Sequence, residues 1–166
     1  MHPLWPKIEA FHPQLWRAVS GYELNPALRE ELYQEVLLAI WESLPRLREP
    51  DRLLFFALRI AHNLGASHAR TAARRPAAVS FDERSHDMGA GDRPGDREAA
   101  RRNWLFDALA ALPLNLRQVL MLQLEGFDYG EIAELLGISA DNVGVRLHRA
   151  RKRLRQLSRE DQSDGD

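Results

Sequence analysis

The chain has 166 residues, a formal net charge of -1, 45% hydrophobic residues and no cysteine. That length suits one ordinary domain or two small ones, and the lack of cysteine excludes disulfides, zinc-thiolate sites and direct thiol redox sensing. A near-neutral total also excludes a general polycation, so any affinity for nucleic acid must come from charge segregated along the chain.

At the N-terminus, MHPLWPKIEAFHPQLW has no long apolar core and no small-residue cleavage pattern, so it does not read as a signal peptide. No apolar run approaches the roughly 18 residues of a membrane span, and the chain is expected to be cytoplasmic, without membrane insertion. Ile8, Phe11, Leu15, Trp16 and Val19 keep helical spacing, and Pro13 sets the start of the regular helix near His12 or Pro13. After a connection over residues 21–26, a long helix is predicted over 26–44, with Leu28, Leu32, Val36, Ala39, Ile40 and Ser43 on one side. Tyr33, Leu37, Trp41 and Leu44 form a second stripe beside Gln34, Glu35 and Glu42, so this helix is apolar nearly all round. Periodicity leaves two readings open: a central helix covered on both sides, or a helix with a docking face for another protein.

Residues 45–51 read as a loop flanked by Arg46, Arg48 and Arg52, followed by a helix to about Ala72 that buries Leu54, Ala57, Leu58, Ala61 and Leu64. Phe55, Phe56, Arg59, His62, Asn63, His68 and Arg70 remain for its surface or rim. Rings interleaved with cations suit single-stranded nucleic acid, although Phe55 and Phe56 fit a core as well. Residues 74–98 have no sustained period and are rich in Gly, Pro, Ala, Asp and Arg, as a linker between two domains would be. Helices resume over 99–112, with Trp104, Leu105, Ala108, Leu109 and Leu112, and again from Leu116 to just before Gly126.

The segment over residues 128–156, DYGEIAELLGISADNVGVRLHRARKRLRQ, carries the strongest local pattern. Asp128 and Glu131 stand at capping-box spacing, Gly137 suits a left-handed exit from a short helix, and Ser139 suits the N-cap of the next. Val143, Leu147, Ala150, Leu154 and Leu157 then form one apolar stripe, while Arg146, Arg149, Arg151, Lys152, Arg153 and Arg155 occupy the rest of the surface. A basic run alone is weak evidence, but cap, short helix, glycine turn, second cap and basic helix together match a DNA-binding helix-turn-helix. The polar residues after Leu157 are expected to fray.

With these residues in view, 108–155 resembles region four of bacterial RNA polymerase sigma factors of the extracytoplasmic-function type. ELYQEVLLAIW, residues 31–41, resembles the core-polymerase-binding helix of their region two, and LRIAHNLGASHAR, residues 58–70, its promoter-melting helix. The resemblance implies an all-α fold of two small helical domains on a flexible linker: region two over 1–73, linker over 74–98, region four over 99–158, and a disordered tail over 159–166. It implies a sigma factor that binds core RNA polymerase and promoter DNA, has no catalytic residue, cofactor or metal, and admits an anti-sigma factor as a further partner. Gln34, Glu35, Leu38 and Trp41 would contact core polymerase. Arg48, Arg59, His62, Asn63 and Arg70 would lie at the minus-10 element, and Asn142, Val145, Arg146, Arg149 and Lys152 at the minus-35 element. Where the family often has Lys then Ser, this chain has Gly144 and Val145, losing a cation and about a kilocalorie of helix propensity. Val145 should face DNA, where its methyls can meet a thymine methyl.

Two other classes were weighed. A free-standing helix-turn-helix regulator would use the N-terminal half to sense or dimerise, yet no extra dimerisation helix is evident. An enzyme has the least support: His62 and His68 do not share a helical face as an i, i+4 zinc pair does, and no phosphate loop or nucleophile triad appears.

Overall fold

The structure, a computed structural model, describes residues 1–74 and 94–165. Among the described residues it is all helical: α1 (Trp5–Ala10), α2 (His12–Ser20), α3 (Pro26–Ser43), α4 (Leu53–Arg74), α5 (Pro94–Ala111), α6 (Leu114–Leu124), α7 (Tyr129–Leu136) and α8 (Ala140–Ser163). Two short 3-10 turns, Leu44–Arg46 and Pro50–Arg52, connect α3 to α4 in the segment read as loop.

Local chemistry sets most boundaries. Asn25 caps α3, accepting from the Ala27 and Leu28 amides at 3.0 and 3.2 Å, and Pro26 follows at a position where its missing N–H is harmless. The predicted capping box is present, with the Glu131 amide donating to Asp128 Oδ1 at 2.8 Å and the Asp128 amide donating to Glu131 Oε1 at 3.1 Å. Gly137 ends α7 at φ 69°, where a side chain would be strained, and the Ile138 amide reaches back to the Ala133 carbonyl. Ser139 Oγ accepts from the Asn142 amide at 3.1 Å and starts α8. The C-terminal end of α5 is closed by Arg117, which donates to the Ala110 and Leu112 carbonyls.

Two boundaries differ from the sequence reading. Helix α5 begins at Pro94, so residues 94–98 are helical rather than linker; the rest of the expected linker, 75–93, lies outside the described residues. Helix α8 runs on to Ser163 instead of fraying after Leu157, because no glycine or proline interrupts it before Gly165.

In the first unit α2 and α3 pack on α4, with α1 laid across α2 and α4; in the second, α6 and α7 pack on α8. Ile8, Leu15, Val19, Leu32, Val36, Ile40, Ala57, Leu58 and Ala61 are buried in the first, and Val119, Leu122, Ile132, Leu135, Val143, Leu147 and Ala150 in the second. The α8 stripe is thus the predicted one. Helix α3 splits its second stripe: Tyr33 and Leu44 are buried, whereas Trp41 stays largely exposed. Tyr33 is held from α2, its hydroxyl 2.6 Å from His12 Nδ1 and its ring edge-on to Trp16.

The two units touch along α4. Phe55 meets Phe127 edge-on, Arg17 forms a two-pronged ion pair with Glu125 at 3.0 and 3.3 Å, and Arg52 pairs with Glu134 at 2.8 Å. At the centre the Met121 thioether fills the space over Gly21 that a side chain there would need. Replacing Gly137 by Ala should lower stability by about 1 kcal/mol through the left-handed backbone it must keep, read as a lower urea midpoint at unchanged slope.

Candidate nucleic-acid interface

Helix α8 is pinned by its buried stripe, which leaves the opposite side free. Asn142, Val145, Arg149 and Lys152 follow at spacings of three and four and share that side, with Arg146 alongside. Val145 is 47% exposed, and Arg149 and Lys152 are exposed. Arg151 turns away and donates to Gln123 Oε1 at 2.6 Å, tying α8 to α6. Val145 and Arg149 line a shallow cleft of about 520 Å³ together with Tyr129, Ala140, Asp141, Gly144 and His148. Tyr129 and His148 were given no role in the sequence reading. Tyr129 sits 15 residues before Gly144, and only the turn at Gly137 folds it back beside that glycine.

In the first unit, Gln34, Glu35 and Leu38 are exposed on the outer side of α3, Leu38 at 58% and Trp41 at 42%. The Trp41 ring is steadied edge-on by Trp5, centroids 5.1 Å apart. Arg48, Arg59, Asn63 and Arg70 are all exposed, Arg48 in the loop and the other three along α4.

His62 is a correction. It is fully buried, and its Nδ1 shares a 2.7 Å hydrogen bond with the Tyr22 hydroxyl, so it presents nothing to DNA. The buried face of α4 includes Leu58, Ala61, His62, Gly65 and Ala66, a run of three and four spacings with His62 in its middle. That spacing was readable; the polarity of imidazole hid it. The Tyr22 ring lies where a side chain on Gly65 would have to be. Burial lowers the His62 pKa to about 4 from its ordinary 6.5, because the cation would lose its water. Burial likewise pushes the Tyr22 phenol up, and lowers that of the half-buried Arg117. At the rim the Arg52 guanidinium holds the Glu134 carboxyl below its ordinary range, with a smaller contribution from Arg59.

Among the described residues, no cluster of three His, Asp or Glu could hold a metal ion, and no helix is long and apolar enough to cross a membrane. The geometry defines a class first: a helical protein whose second unit presents a cationic helix from a capped helix-turn-helix. Comparison with known proteins then fixes the family. Residues 8–75 match sigma-70 region 2 and residues 102–154 match sigma-70 region 4. The chain is 33% identical over 135 residues to the ECF RNA polymerase sigma factor ShbA of Streptomyces griseus subsp. griseus, covering 78% of this chain and 71% of that protein. It is 29% identical over 153 residues to the RNA polymerase sigma factor CarQ of Myxococcus xanthus, covering 92% of this chain and 83% of that one. Among solved structures, the sigma factor RpoE in complex with the anti-sigma factor NepR, from Bartonella quintana, aligns with a TM-score of 0.72 at 19% identity over 96% of this chain and 98% of that one. CnrH in complex with the cytosolic domain of CnrY aligns with a TM-score of 0.68 at 22% identity, over 97% and 91%. The chain belongs to the extracytoplasmic-function RNA polymerase sigma factors. It directs promoter recognition and transcription initiation by core RNA polymerase, and the free-standing regulator is not favoured.

The buried histidine makes stability pH-dependent. His62 has a folded pKa below its unfolded value, so its contribution is full above pH 6.5 and is lost as pH falls toward 4. The full loss is on the order of 3 kcal/mol. Denaturant melts at pH 7 and pH 4.5 should show the wild type losing more stability than His62→Gln, which has no proton to take up.

Proposed function

We propose that the two units divide promoter recognition between them, with no covalent chemistry of their own. The outer side of α3, with Gln34, Glu35, Leu38 and Trp41, docks on core polymerase. Arg48, Arg59, Asn63 and Arg70 line the path of the minus-10 element, without His62. Asn142, Val145, Arg146, Arg149 and Lys152 meet the minus-35 element. The observation that carries this reading is the division of α8: Val143, Leu147 and Ala150 are sealed in the core while Val145, Arg149 and Lys152 stand clear on the other side. Such a helix has its reading side fixed by packing, as major-groove recognition requires.

On this reading the described packing is a closed form. Elements named minus-10 and minus-35 lie about 25 base pairs apart, on the order of 85 Å at 3.4 Å each. The turn before α4 and helix α7, joined here by the 2.8 Å Arg52–Glu134 ion pair, cannot serve both elements at once. Glu134 occupies Arg52, a cation that would otherwise be open to a phosphate. Promoter binding therefore parts the units. One of the structures aligned above holds an anti-sigma factor, and the closed form is a natural target for such a protein here.

In vitro transcription with core polymerase and a genomic promoter library tests the whole reading, since an inactive mixture would defeat it. Trp41→Ala or Glu35→Lys should cut co-purification with core polymerase at least several-fold while leaving helix content unchanged. Arg149→Ala should weaken promoter binding and reduce the salt slope by about 0.9 if it neutralises one phosphate. Glu134→Lys, which sets a cation beside Arg52, should enlarge the radius of gyration in solution scattering.

A further inference from the structure

We propose that Tyr129 is a base-contacting residue of the upstream promoter element, forming with Val145 an apolar cup for a thymine 5-methyl group. The inference rests on the DNA-reading role of α8 proposed above and adds to it a residue from α7 and a base. Tyr129 is the first residue of α7, and it is 41% exposed, so it is no core anchor. The Tyr129 ring lies against the recognition helix at Gly144: a Cβ there would be in ordinary van der Waals contact with it, 3.4 Å from Cε2 and 3.9 Å from Cδ2, so that only a side chain larger than alanine's would displace the ring.

The chemistry of the cleft selects its occupant. Tyr129, Ala140, Gly144 and Val145 give its lining an apolar part, and Arg149 and His148 line it too. Asp141 also lines it, and a carboxylate there repels a phosphate but tolerates a base edge. Among the bases, thymine alone presents a methyl group in the major groove, beside an O4 acceptor that Arg149 can reach from the rim. The surrounding cations of α8 bring the duplex to this surface, and the cup discriminates once it is there.

The test uses holoenzyme reconstituted from core polymerase and the full chain, challenged with promoters randomised across the upstream element. Wild type should select thymine at one position, and replacing that dT by dU, which removes only the methyl, should weaken binding about fourfold. Tyr129→Ala and Gly144→Leu, the second pushing the ring aside, should each erase the thymine preference and the dU penalty while core binding and the downstream preference persist. Uniform weakening on all sequences by Tyr129→Ala would make the residue a phosphate contact and overturn the proposal, as would an intact thymine preference in both variants. Absence of any upstream selection by wild type would instead overturn the DNA-reading role of α8 itself. If Tyr129→Ala does not fold by circular dichroism, the dU substitution still decides, since a wild type indifferent to the methyl has no such cup.

Discussion

The hydrogen bond between the Tyr22 hydroxyl and His62 is the constraint from which the arrangement of the helices follows. A phenol and an imidazole are both costly to bury, and their hydrogen bond offsets part of that cost, although His62 Nε2 is buried without a partner. Their meeting fixes how the turn after α2 lies on α4, and Gly65 leaves the space for the ring. Met121 of α6 fills the space over Gly21, next to Tyr22 in the chain, so the second unit docks where the first is tightly built. Around this centre the ion pairs of Arg17 with Glu125 and Arg52 with Glu134 are partly or fully open to water, where such pairs add little to stability. The contacts named between the units are thus a methionine over a glycine, a ring pair and two ion pairs open to water.

What the sequence made legible were features whose cause is local. The capping box of Asp128 and Glu131 needs partners three residues apart, and Gly137 announces its left-handed turn by having no side chain. The stripe of α8 is a period, and periods can be counted. What stayed hidden depends on residues distant in the chain. His62 looks like a polar rim residue until Tyr22, 40 positions away, is seen to meet it. The exposed residues of α3 could not be separated from the buried ones by hydropathy, because Tyr33 and Trp41 are both aromatic. Only His12 and Trp16 across from Tyr33 decide which of the two goes inside. The cleft beside α8 was half visible: Gly144 and Val145 stood out as departures from the family, whereas the ring that lines it with them is on another helix.

The same rule governs both partner-facing helices. An element can present a defined set of side chains to a partner only if its opposite side is held, since a helix free to rotate would present a smeared average. Helix α3 is held by Leu32, Val36 and Ile40 and turns Leu38 outward; α8 is held by Val143, Leu147 and Ala150 and turns Val145 outward. Charge is distributed to match. With a formal total of -1, the chain cannot attract DNA as a whole, and the cations of α8 act only at the range of a Debye length, about 10 Å at moderate salt. Acids elsewhere then keep the rest of the chain from competing for the duplex. Glu134 brings that balance into the fold itself: it lies on α7, directly before α8, and it pairs with Arg52 of the other unit. On the proposed reading, parting the units would free that cation for nucleic acid, so one movement would both expose the downstream surface and restore its charge.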